Sequence, residues 1–198
     1  MTVFLVDDEA SVRRAVGRLL RAEGFAVSDF ASAEEFLAAY DPAAPGCLLL
    51  DMAMPGLDGL AVQEILAERG GCLPVVFLTG RADVPMCALA MKRGALDFLT
   101  KPVNDVELIA AIRRAIEQDR ITRQERARSH EIHGRIASLT PREREVLDHI
   151  VTGQLNKQIA ADLGIVEKTI KVHRARVMEK MRVTSVAELV RLVEQAKG

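Results

Sequence analysis

Apolar positions along the first ~118 residues alternate between two rhythms. Three unbroken runs, Val3-Phe4-Leu5-Val6, Cys47-Leu48-Leu49-Leu50 and Val75-Val76-Phe77-Leu78, are too short for helices and apolar at odd and even positions alike, as in strands covered on both faces. Between them apolar residues recur at helical spacing: Val12, Val16, Leu19 and Leu20 predict a helix that Gly24 closes. Further helices are predicted near Ala33 to Tyr40, Leu60 to Glu68 and Val84 to Arg93. A last one begins near Asp105, with Ile109, Ile112 and Ile116 on one face. Weaker strands near Phe25 to Phe30 and at Phe98-Leu99-Thr100 complete five β/α units. Strands alternating with helices predict an α/β fold, a (βα)5 doubly wound parallel sheet.

The rest of the chain keeps only the helical rhythm. Residues 119–137 carry Arg120, Arg123, Arg126 and Arg128 among few apolar positions, which predicts an exposed, partly helical linker. Beyond it Thr140 caps a helix opened by Pro141, with Glu143 placed for a capping box and Val146, Leu147, Ile150 and Val151 inside. Gly153 stops it. Asn156 is predicted to cap a short helix with Ile159, Ala160 and Leu163, closed by Gly164. A third helix is predicted from Glu167 to Met181 and a fourth from Ser185 to Gln195. Two short helices across Gly164-Ile165-Val166 make a helix-turn-helix pattern in a second, all-α domain. The predicted division is 1–118, 119–137 and 138–198.

Composition adds little until it is divided the same way. With 49% hydrophobic and 28% charged residues the chain reads as ordinary globular protein. No apolar run is long enough to span a bilayer, and Met1-Thr2-Val3-Phe4 lacks a basic leader, so a cytoplasmic protein is expected. Residues 1–118 hold 11 Lys+Arg against 17 Asp+Glu, net −6; residues 119–137 hold 5 against 3, and residues 138–198 hold 11 against 8. An acidic first part and a basic last part suggest a cation-binding module joined to one that meets a polyanion. Cys47, Cys72 and Cys87 have no C-x-x-C spacing and read as reduced packing residues. His130 and His133 share a helix face but have no third ligand nearby, so solvated histidines are the simpler reading.

Chemistry concentrates at the ends of the apolar runs. Asp7 and Asp8 follow the first, Asp51 the second, Thr79 the third, and Lys101 follows Phe98-Leu99-Thr100. If these runs are parallel strands, three acids, a hydroxyl and an ammonium meet at one sheet edge, where open α/β sheets place ligands. Any one acid alone would pass for a solvated loop residue or a helix cap. Together they have the chemistry of a metal-assisted phosphoryl acceptor, because clustered carboxylates repel one another unless a hard cation neutralises them.

Residues 1–118 resemble a two-component receiver domain, and Thr79-Gly80-Arg81-Ala82-Asp83-Val84-Pro85-Met86 through Asp97-Phe98-Leu99-Thr100-Lys101-Pro102 is similar to its FixJ-type branch. Leu139-Thr140-Pro141-Arg142-Glu143-Arg144-Glu145-Val146-Leu147, Asn156-Lys157-Gln158-Ile159-Ala160 and Lys168-Thr169-Ile170-Lys171-Val172-His173 resemble a LuxR-type DNA-binding domain. The resemblance implies that Asp51 is phosphorylated and that Asp7, Asp8, Asp51 and the carbonyl of Ala53 hold Mg²⁺. It also implies that Thr79 and Lys101 contact the phosphoryl oxygens, that Phe98 changes rotamer as Thr79 moves, and that Lys101-Pro102 is cis. One departure is Val103, where such chains usually carry an aromatic near the output face.

In the third helix of the tail, Lys171, Val172 and Ala175 share an outward face. By resemblance Lys171 and Val172 read bases, while Lys157, Lys168, Thr169, Arg174 and Arg176 contact phosphates. The expectation is a response regulator, not an enzyme. Its implied partners are a sensor histidine kinase, promoter DNA, RNA polymerase and a second copy of the chain upon phosphorylation. Two rivals remain. A hydrolase of the haloacid-dehalogenase type needs an acid two residues after the nucleophile, where this chain has Ala53. A receiver that takes no phosphate and acts by protein contact alone would not need all five groups.

Overall fold

Each apolar run forms a strand: β1 (Thr2–Val6), β2 (Ala26–Phe30), β3 (Gly46–Asp51), β4 (Val75–Thr79) and β5 (Asp97–Thr100). All pair in parallel, in the order β2-β1-β3-β4-β5. The computed structural model describes residues 1–80 and 84–197. The strands alternate with α1 (Ala10–Ala22), α2 (Ala33–Ala39), α3 (Gly59–Glu68), α4 (Val84–Lys92) and α5 (Asp105–Ala137). Because successive side chains point to opposite faces, each run feeds two cores. Phe4, Val6, Leu48, Leu50 and Phe77 pack with Phe36 of α2, Val62 and Leu66 of α3 and Ala90 of α4. Val3, Leu5, Cys47, Leu49, Val76 and Leu78 pack with Val16 and Leu20 of α1 and with Leu108, Ala111 and Ile112 of α5. Leu48, Leu49 and Leu50 are wholly buried, each worth roughly 1.5–3 kcal/mol relative to exposure.

Backbone approach is tightest where β3 begins. A Cβ on Gly46 would lie 1.9 Å from the Thr2 carbonyl oxygen on β1, so no side chain fits without parting the two central strands. Cys47 beside it is buried and free; burial, helped by the Asp119 charge, pushes its thiol up to about 12, as befits a packing residue. Cys72 and Cys87 are also free.

Contacts divide the chain into two units, Met1–Arg123 and Gln124–Gly198. Residues 119–137, expected as an exposed linker, lie wholly within α5. Arg126, Ala127 and Arg128 are exposed, but Asp119 is fully buried. Its Oδ2 accepts from the Gly46 N–H at 2.9 Å and from Arg123 Nε at 2.9 Å, while Arg123 also donates to the carbonyls of Ala43 and Ala44. Ile132, 2% exposed, joins the core of the second unit. Paired i,i+4 charges and one apolar residue thus bury parts of a stretch whose composition suggests solvation.

The second unit contains α6 (Pro141–Val151), α7 (Asn156–Asp162), α8 (Glu167–Met181) and α9 (Val186–Lys197) around Val146, Ile150, Ile159, Ile170, Val177, Met181 and Leu189. Asn156 does not cap α7 as expected. It is the first helical residue, its Oδ1 accepts from Arg174 at 3.0 Å, and Gln158 reaches back to the Leu155 N–H instead. The predicted capping box at Thr140 is present. Glu143 within it is 2% exposed, and its Oε2 accepts from Lys180 Nζ at 2.6 Å and from the Thr140 N–H at 2.9 Å.

The Lys180 ammonium first, then the Thr140 N–H, outweigh burial and hold the Glu143 carboxyl down at about 2. A folded value below the ordinary 4.5 means that the stability from this ionisation is present above ~4.5 and lost as pH falls toward 2. The melting temperature of this unit should therefore drop steeply across that window. Glu143→Gln should flatten the drop and cost about 1–3 kcal/mol at neutral pH. An unchanged acid profile in that variant would show that other carboxylates govern the transition.

Candidate functional site

Neighbours β1 and β3 are covered by crossovers on opposite faces, so a crevice opens beyond their carboxyl ends, the usual ligand position in such sheets. Asp7 follows β1 directly and Asp51 is the last residue of β3. Both are pulled inside by the strands that precede them, to 0% and 4% exposure. Asp8, next in the turn, is exposed. One oxygen from each of Asp7, Asp8 and Asp51 lies within 4.8 Å of the others. Among the described residues no other group of three His, Cys, Asp or Glu side chains comes together this way. In particular His133 Nδ1 lies 2.8 Å from the Ser129 carbonyl oxygen, as in a solvated helix.

Lys101 enters from the end of β5. Its Nζ lies 2.8 Å from Asp51 Oδ2, 2.7 Å from Asp7 Oδ2 and 3.8 Å from Glu9 Oε1. Burial raises the Asp7 carboxyl above its usual range, against the Lys101 and Glu9 N–H contacts. For Lys101, burial alone would lower the ammonium, but the bonds to Asp51 and Asp7 outweigh it and the group is raised. The ammonium thus contacts two of the three clustered carboxylates, Asp7 and Asp51, and Asp7 Oδ2 accepts no well-directed hydrogen bond. The donor set is all oxygen, as a hard divalent cation requires.

Asp8, Glu9, Asp51, Met52, Ala53, Thr79, Gly80, Met86 and Lys101 line an open cleft of about 590 Å³. The Ala53 N–H donates to Asp51 Oδ1 at 3.2 Å, turning the backbone after β3 around the carboxylate. Thr79 ends β4 and is 3% exposed. Phe98 stands in register with Phe77, two residues before Thr79, so Phe98, Phe77 and Thr79 share one face of the sheet. Phe98 is half-buried against the same core. Arg81, Ala82 and Asp83, part of the quoted motif, lie outside the described residues. The Lys101–Pro102 bond is cis. Val103 packs on the core beneath α1 and α5.

Arg13 escaped the sequence reading. Its Nη1 donates to the carbonyls of Asp7 at 2.6 Å and Asp8 at 3.0 Å. The only signal was its place one residue past Val12 on a helix that begins beside the two acids.

On the tail, Lys157, Lys168, Lys171, Val172 and Arg176 are exposed, and Thr169 and Arg174 are half-buried. Lys171 pairs with Glu167 at 3.2 Å, one turn back on α8. Arg174 is engaged by Asn156, which ties α8 to the start of α7.

Comparison with known proteins agrees with this arrangement. Residues 3–113 match the family model of the response regulator receiver domain, and residues 137–193 that of the bacterial regulatory proteins of the luxR family. The transcriptional regulatory protein FixJ of Azorhizobium caulinodans is 46% identical over 196 residues, 97% of this chain and 91% of that protein. Nodulation protein W of Bradyrhizobium diazoefficiens is 43% identical over 192 residues, 97% and 85% of the two chains. The solved structure of the response regulator StyR covers 98% of both chains at 45% identity with a TM-score of 0.89. Full-length FixJ from B. japonicum is similar at 40% identity, covering 99% of this chain and 97% of that one, with a TM-score of 0.61.

Fold and site together define a receiver module joined to a helix-turn-helix module. The chain belongs to the two-component response regulators whose receiver domain is followed by a LuxR-family DNA-binding domain. It is a transcription regulator of a family whose general mechanism is phosphorylation by a kinase, and that family is not one of enzymes. Among the described residues no helix is long and apolar enough to cross a membrane.

Proposed function

We propose that Asp51 accepts the phosphoryl group from a partner histidine kinase, with Mg²⁺ held by Asp7, Asp8, Asp51 and the carbonyl of Ala53. The observation that carries this is the convergence of three carboxylates within 4.8 Å, with Lys101 Nζ between Asp7 and Asp51. When bound, the cation neutralises charge on the carboxylates and on the transferring group. Asp51 supplies the attacking oxygen, since its carboxylate ends β3 at the cleft while Asp7 lies buried behind it. The Lys101 ammonium and the Thr79 hydroxyl bind phosphoryl oxygens. Thr79 drawn toward them vacates space on the face it shares with Phe98, whose ring follows inward.

In the tail, Lys171 and Val172 read bases, and Lys157, Lys168, Thr169, Arg174 and Arg176 hold phosphates. A single helix-turn-helix covers little DNA, so phosphorylation acts by pairing two chains on neighbouring half-sites, where they meet RNA polymerase in the cytoplasm.

Asp8→Ala, which removes the exposed ligand, should abolish both divalent-cation binding and phosphoryl uptake from a small phosphodonor. Undiminished uptake in excess chelator would refute the role of the cation. The unphosphorylated receiver lowers the tail's DNA affinity, so a fragment of residues 124–198, which keeps the buried Ile132, should bind DNA more tightly than the whole chain. Equal affinities would mean that phosphorylation acts only by bringing receivers together.

A further inference from the structure

Arg13 lies on the first turns of α1, outside the set of acids, hydroxyl and ammonium that the proposed reaction uses. Its Nη1 donates to the carbonyl oxygens of both Asp7 and Asp8, at 2.6 and 3.0 Å. The turn is also held by the Asp7 N–H, which donates to the Phe30 carbonyl at 3.3 Å, by the Glu9 N–H, which donates to Asp7 Oδ1 at 2.9 Å, and by the Arg13 N–H, which donates to the Glu9 carbonyl at 3.1 Å. Asp7 and Asp8 are consecutive, so in an extended strand their side chains would diverge to opposite faces. They offer oxygens to one point only because the chain bends there. A bend that points two consecutive carbonyls the same way leaves two dipoles repelling each other, and one guanidinium nitrogen donating to both offsets that cost. The half-buried guanidinium also brings a fixed positive charge to a turn that carries two acids.

We propose that Arg13 is a positioning residue for the divalent cation. By clasping both carbonyls it holds the β1–α1 turn in the bend that brings the Asp7 and Asp8 carboxylates together with Asp51. This rests on the cation site proposed above. Arg13 touches neither the cation nor the phosphoryl group; it acts through the backbone of the two ligands. Groups that orient metal ligands from behind typically change metal affinity ten- to a hundredfold when removed.

The test is a titration of the whole metal-free chain with Mn²⁺, following the free ion by electron paramagnetic resonance, together with the melting temperature without metal. Arg13→Met keeps the apolar stem and removes the donors. It should weaken Mn²⁺ binding by about tenfold or more while leaving the metal-free melting temperature within a few degrees of wild type. Arg13→Lys, which restores charge and donors, should recover most of the affinity. Should Arg13→Met fail to fold, Arg13→Leu, which likewise carries no donor, gives the same comparison. Wild-type affinity in the Met or Leu variant overturns the role of Arg13, as does a Lys variant no better than Met. Asp8→Asn serves as the control that loses the ion. A wild-type chain that binds no Mn²⁺ overturns the cation site itself, and the role of Arg13 with it.

Discussion

Asp51→Asn should abolish phosphoryl uptake while leaving the fold intact. The amide is nearly isosteric, and its oxygen can still accept the Ala53 N–H that Asp51 Oδ1 accepts at 3.2 Å. Lys101 keeps Asp7 as an ion partner at 2.7 Å. What disappears is the nucleophile, because an uncharged amide has no oxygen basic enough to attack phosphorus. Asp7 cannot replace it from a fully buried position, and Asp8, although exposed, lies in the turn after β1 rather than at the end of β3. With one fewer negative charge beside Asp7 and Asp8, the metal-free variant should also melt at or above the wild-type temperature. Mass spectrometry after incubation with a small phosphodonor and Mg²⁺ should show one added phosphoryl group on wild type and none on the variant. The same added mass on Asp51→Asn would move the acceptor elsewhere.

The second large effect is expected on DNA. Lys171→Ala should cost roughly 1 to 3 kcal/mol on the chain's preferred site, selected from a random pool, and much less on random DNA. Its ammonium is free to turn toward a groove. The side chain is 65% exposed, and its pairing with Glu167 at 3.2 Å is the kind of exposed i,i+4 contact worth only a few tenths of a kcal/mol. Lys157, at the second position of α7, belongs to the helix expected to cross the backbone. Lys157→Ala should therefore weaken specific and random binding alike and reduce the salt slope by roughly one unit. Proportional losses on both DNAs in both variants would remove the distinction between base and phosphate contacts.

Much of this was legible along the chain because the relevant physics is local. Runs apolar at both alternate positions can only be satisfied between two layers of helix, so Val3 to Val6, Cys47 to Leu50 and Val75 to Leu78 announced a covered parallel sheet. Parallel strands put their carboxyl ends on one edge, which made Asp7, Asp51, Thr79 and Lys101 neighbours before any distance was known. The capping box at Thr140 and Glu143 needs only four consecutive residues and was equally plain.

Tertiary structure alone decided what depends on groups far apart in sequence or on backbone carbonyls, which every residue has and no residue advertises. Asp119 looks like one more linker acid, yet it is buried because Gly46, 73 positions away, offers it an N–H. Glu143 owes its low pKa first to Lys180, 37 positions away. Asn156 looked like a cap but serves Arg174 across a helix boundary. Arg13 has the same cause: its partners are carbonyl oxygens of a turn whose bend exists only once β1 is seated in the sheet. Residue type and spacing thus determined the sheet, the helix-turn-helix and the meeting of Asp7, Asp8, Asp51 and Lys101 at one edge. Packing determined which charges are buried, what holds them, and how the two acids after β1 come to face the same point.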